Sequence, residues 1–180
     1  MENIIEDFKK QSEVEDRMIK KYQNKVPKEI IEFWKEYGFG TFLGGYLKSV
    51  NPESFEETLK LGSQRFHDGI VLFATGMGDL IIWSDNYVRI LNFRHGIIDT
   101  IMSGFTFFFD DIFDIDFRVE ELKWLPYPQA TELLGFPEYD ECFGYVPILG
   151  IGDGEEVENL EKVKLMEYLQ IIIEFMGPIA

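Results

Sequence analysis

The chain has one cysteine, two histidines and, beyond residue 100, only four basic side chains. Each scarcity removes a class of function. The lone thiol, Cys142, cannot close an internal disulfide, so the fold is expected to do without covalent staples, as suits a reducing cytoplasm. Its aromatic neighbours mark it as a buried, inert thiol. With so few cations the second half offers no footprint for phosphates, so direct DNA or RNA binding is not expected, and the same field repels anionic membranes. No uncharged apolar run approaches the roughly 18 residues of a membrane span. The start, Met1-Glu2-Asn3-Ile4-Ile5-Glu6-Asp7-Phe8, has no basic stretch leading into an apolar one, so the expected location is cytoplasmic. Gly-Lys-Ser/Thr is absent, as is Gly-x-Gly-x-x-Gly after a strand, and neither Ser84 nor Ser103 has the setting of a nucleophile elbow. No cofactor is expected.

Aromatic residues are abundant: 17 Phe, 8 Tyr and 3 Trp in 180 residues. Each buries on the order of 150 to 250 Å², and a chain of this length buries roughly 70% of its unfolded surface, which favours a well-packed globule. Carboxylates are the other excess. The net charge is −16, and it is uneven: residues 1–100 hold 16 acidic and 13 basic groups, residues 101–180 hold 17 and 4. The second half is the electrostatic pole. Such a field draws cationic partners, although acidity also serves solubility.

Residues 1–25, with apolar positions at Ile4, Ile5, Phe8, Val14, Met18, Ile19 and Tyr22, suggest two surface helical segments. Ile30, Phe33, Trp34 and Tyr37 recur at i, i+3, i+4 and i+7, which predicts a helix with Pro27 at its first position, Gly38 at its stop and Trp34 in the core. Glycines 38, 40, 44 and 45 then break the chain before a short strand at Tyr46–Val50 and a helical segment from Asn51-Pro52 to Leu61. Four β-rich runs follow, Gly69–Ala74, Asp79–Trp83, Tyr87–Leu91 and Ile97–Ile101, separated by short turns that allow only antiparallel hairpins. Phe105–Phe113 fits helix or strand by its pattern. Tyr127–Gly135 reads as a short helix, Cys142–Ile148 as a strand returning to the same sheet, and about Glu158 to Phe175 as a final helix packed through Leu160, Val163, Met166, Leu169 and Ile173.

The densest acidic cluster is Asp110, Asp111, Asp114 and Asp116, extended by Glu120 and Glu121 and interleaved with Phe109, Ile112, Phe113, Ile115 and Phe117. A calcium site would need converging oxygens and usually a glycine-bearing loop, so no metal is assigned. A solvated amphipathic face and a partner surface with aromatic anchors both remain open. Asp153, Glu155, Glu156 and Glu158 form a second cluster, which can cap the last helix or bind a partner. His67 and His95 flank turns. A hydrolase would pair one of them with a carboxylate or Cys142, but no nucleophile, orienting acid and oxyanion set has a signature here, so no catalytic residue is assigned.

Phe143-Gly144-Tyr145-Val146-Pro147-Ile148-Leu149-Gly150-Ile151-Gly152-Asp153-Gly154, then Asn159-Leu160-Glu161-Lys162-Val163-Lys164 and the end Met176-Gly177-Pro178-Ile179, resembles the C-terminal domain of immunity proteins against type VI-secreted DNase toxins. Val26–Gly40, with Pro27, Phe33, Trp34 and Tyr37, resembles the opening helix of a GAD-like domain and, more loosely, the SUKH group of immunity and regulatory proteins. The resemblance implies an α+β, SUKH-like fold with a central, mainly antiparallel sheet flanked by helices, and helix for 105–113. It divides the chain into a GAD-like segment, 1–100, and an immunity-type segment, 101–180, expected to share one globule and one continuous sheet. It implies a non-enzymatic immunity protein that binds a cognate nuclease toxin; a SUKH-like adaptor or a small hydrolase are the alternatives. Asp110, Asp111, Asp114, Asp116, Glu120, Glu121, Asp153, Glu155 and Glu156 are the candidate partner-binding residues.

Overall fold

A computed structural model describes residues 5–152 and 154–180, so Ile4 and Asp153 lie outside the described residues. In chain order the elements are β1 (Lys9–Ser12), α1 (Asp16–Tyr22), α2 (Lys28–Glu36), β2 (Phe39–Phe42), β3 (Leu47–Ser49), α3 (Glu56–Gly62), β4 (Ile70–Thr75), β5 (Leu80–Ser84), β6 (Tyr87–Asn92), β7 (Ile97–Ser103), α4 (Phe108–Asp111), α5 (Ile115–Glu120), α6 (Tyr127–Leu134), β8 (Glu141–Tyr145), β9 (Leu160–Lys164) and α7 (Leu165–Met176). The fold is α+β. β1 to β7 form one antiparallel sheet in sequential order, and β8 pairs antiparallel with β9 in a second, small one.

The meander follows from its turns. Asp85 and Asn86 connect β5 to β6 with φ of 53° and 64°, the left-handed pair that a two-residue hairpin requires and that Asp and Asn tolerate. Alternation then sorts the side chains: Ile81, Val88 and Ile90 enter one core with α2 and α4, while Leu80, Ile82 and Leu91 enter the other with α3 and α7. The first core is aromatic. Phe33 stacks on Phe109 with ring centres 5.0 Å apart, and Phe73 on Phe108 at 5.5 Å. Trp34 is buried beside Tyr22 and Phe39.

Several expectations are corrected. Residues 9–12 form edge strand β1, and α1 buries Met18, Ile19 and Tyr22, so this stretch is not a pair of surface helices. Gly40 lies inside β2, where a Cβ would come within 2.3 Å of the Lys9 carbonyl oxygen; the glycine admits a close neighbour instead of ending an element. Pro27 is the N-cap of α2, one residue before its expected place. The ladder does not continue into Cys142–Ile148: in β8 the Phe143 N–H donates to the Gly76 carbonyl at 2.7 Å, just past the end of β4, and the strand's ladder is formed with β9. That partner was expected to be helix. Leu160 and Val163 are spaced as on a helix, but residues 160–164 face 141–145 rung by rung, and tertiary pairing decides. The final helix therefore starts at Leu165 and buries Leu165, Tyr168, Leu169 and Ile172, leaving Met166 exposed.

Candidate partner-binding surface

The first acidic cluster is built on four buried pegs. Phe108, Phe109 and Ile112 fix α4 in the core, and Leu122 fixes the chain after α5. Between pegs the helical turn throws alternate residues outward: Asp110, Asp114, Asp116 and Glu120 are exposed, and Asp111 and Glu121 are half-buried. Asp114 also has a structural task, since its Oδ1 accepts the Phe117 N–H at 3.0 Å and caps α5. Arg118 is held by neutral groups. Its Nε donates to the Ile112 carbonyl at 2.6 Å, and its guanidinium lies over the Trp124 ring at 5.5 Å. Among the described residues, none of these six carboxylates has a cationic side chain within 4.0 Å. Exposed apolar side chains stand among them, Phe107 at 65%, Phe113 at 45% and Ile115 at 62%.

Of the second cluster, Glu155 and Glu156 are exposed and precede a 3₁₀ turn, Val157–Asn159. They are not at the start of α7, so the expected capping of the last helix is not their role. Glu155 reaches across to His95, whose Nδ1 lies 3.1 Å from Asn92 Oδ1. Next to His95, the Arg94 guanidinium donates to the carbonyls of Lys123 at 3.0 Å and Leu125 at 3.4 Å, just after Glu120 and Glu121. Glu155 and the stretch Lys123–Leu125, which follows the first cluster in the chain, thus both meet the turn between β6 and β7.

That turn is held from below by an ion pair missed in the sequence. Arg94 Nη2 lies 2.7 Å from Asp79 Oδ2, with both side chains buried. Burial works against both charges, yet Asp79 beside it holds the guanidinium's proton more firmly than usual. Lys48 was also missed. It is fully buried in β3, and its Nζ donates to the carbonyls of Glu138, Tyr139 and Glu141, clamping the turn that leads into β8. Burial pulls its pKa down to about 8. A run such as Tyr46-Leu47-Lys48-Ser49-Val50 carries no signal that its lysine points inward.

The histidines do not assemble chemistry among the described residues. His67 Nδ1 lies 3.2 Å from the Gln64 carbonyl oxygen, His95 contacts Asn92 and Glu155, and neither meets a hydroxyl or thiol. Among the described residues no group of three His, Cys, Asp or Glu is placed to hold a metal ion. No helix among them is long and apolar enough to cross a membrane.

The structure is thus an antiparallel meander between two apolar cores, with carboxylates and exposed apolar side chains side by side on its surface. Residues 1–95 match the family described as the GAD-like domain, and residues 102–176 match the one described as T6SS immunity protein Tdi1, C-terminal. The chain belongs to the GAD-like family, and its second half is similar to the C-terminal domain of a type VI secretion immunity protein. The crystal structure of Atu4351 from Agrobacterium tumefaciens has a similar fold, with a TM-score of 0.77 over 96% of this chain and 85% of that one at 16% identity. No curated protein matches the chain.

Proposed function

We propose that the chain binds a cognate nuclease toxin and neutralises it without turnover, its acidic surface covering the toxin's basic nucleic-acid-binding face. The observation that carries this reading is the run from Phe107 to Glu121, where carboxylates without cationic partners alternate with exposed Phe107, Phe113 and Ile115. A nuclease must present lysine and arginine to phosphates, and carboxylates can take those positions. Opposite fields speed the encounter, and apolar anchors in desolvated spots slow dissociation. Glu155, at His95 of the β6–β7 turn, and Glu156 add to the same negative field. The partner is the toxin and not nucleic acid, which the net charge of −16 repels.

The reagent for the test is the nuclease domain of a candidate toxin, to be sought among the genes that adjoin this one. One equivalent of the protein should abolish DNA cleavage, and a His67→Ala/His95→Ala variant should inhibit equally. Inhibition far below one equivalent, or its loss in that variant while binding persists, would return an enzymatic reading to first place.

A further inference from the structure

The glycine-rich run after β8 has no part in the Asp110–Glu121 surface, yet it helps to build an apolar groove. Val146, Pro147, Ile148 and Ile151 form one wall, and Val163 of β9 and Ile171 of α7 the other, enclosing about 410 Å³. Ile151 is 63% exposed and Ile171 43%. The patch continues past the groove: Gly150 rests so closely on Met176 that a Cβ there would lie 2.0 Å from its sulphur, and Phe175 and Met176 are both exposed. On a chain this highly charged, a contiguous apolar strip marks a place where another molecule sits.

The rim says what kind. Glu167 lines the groove, Glu174 follows Ile171 by one helical turn, and Glu161 lies two residues from Val163 on the same face of β9. Lys164, which also lines the groove, is taken by Asp140 at 2.8 Å and Glu141 at 3.6 Å. A second copy of the chain would set these carboxylates against their like, and an anionic lipid surface would be repelled. Among the described residues β9 has no strand on its outer side, but Lys162 and Lys164 discourage strand addition there. We propose that this groove seats an amphipathic helix of a partner protein, its apolar face against Ile151, Val163 and Ile171 and its flanking lysines or arginines against the glutamate rim. This site is separate from the Asp110–Glu121 surface and does not depend on the partner being a nuclease.

The probe is a fluorescent amphipathic peptide of about 16 residues, with leucines at i, i+3, i+4 and i+7 and lysines at both ends. It should bind the full chain, and an Ile151→Ser/Ile171→Ser variant, which changes exposed side chains and no charge, should bind about tenfold or more weakly with an unchanged Tm. A peptide with glutamate ends should show a comparable loss, and replacing Asp110, Asp111, Asp114 and Asp116 with Asn should leave binding as it was. No binding, or equal binding to wild type and the serine variant, overturns the inference. So does sedimentation showing a wild-type dimer that the serine substitutions dissociate, since the groove would then belong to a second copy.

Discussion

Cys142 sits in β8 without exposed surface, and burial pushes its thiol up to about 12. The unfolded chain would ionise it near pH ~8.5. Its folded pKa is raised, so the stability it contributes is complete below the unfolded value and is lost as pH rises towards the folded one. Between about pH 8.5 and 10 the wild type should therefore lose stability more steeply than Cys142→Ala in paired denaturant titrations; equal slopes would mean the thiol is open to solvent. Its alkylation in the native protein should be slowed about a thousandfold or more against the rate in urea. This residue was legible, because a lone cysteine among aromatics is a small hydrophobe. Lys48 and the Asp79–Arg94 pair were not: their partners, three carbonyls and each other, lie far along the chain, and local pattern carries no trace of such contacts.

Among the elements, the meander from Ile70 to Ser103 was readable because every connection is a tight turn and each strand alternates or runs apolar. β9 was not, since five residues with Leu160 and Val163 three apart satisfy a helical period, and only the ladder with Glu141–Tyr145 makes them extended. The same error set the register of the last helix. Leu169, fully buried against the second core, should cost about 2 to 5 kcal/mol on replacement by Ala. Met166, expected inside but exposed, should cost no more than about 0.5 kcal/mol. Equal costs in denaturant unfolding would mean that α7 packs on a different face.

Over the whole molecule, charge is the property the sequence displays most openly and the fold completes. The count of 17 acidic against 4 basic groups beyond residue 100 located the pole, but not which carboxylates stay without partners. Asp99, Asp140 and Glu141 are taken by Lys123 and Lys164, whereas Asp110, Asp111, Asp114 and Asp116 have no cation within 4.0 Å among the described residues. Near the other end, Glu13 and Glu15 are held by Lys10 and Arg17. These differences set up the most direct test of neutralisation by an acidic surface: the association rate of the toxin's nuclease domain at about 50 and 200 mM salt, spanning a clear change in screening length. Asp110, Asp111, Asp114 and Asp116 are changed together to Asn in one variant, which preserves the α5 cap because Asn caps as well as Asp. Glu13, Glu15 and Asp16 are neutralised in the other. The aspartate variant should associate about tenfold more slowly at low salt, with a flattened salt dependence, while the control stays close to wild type. Equal slowing in both variants, or none in the aspartate set, would contradict the account.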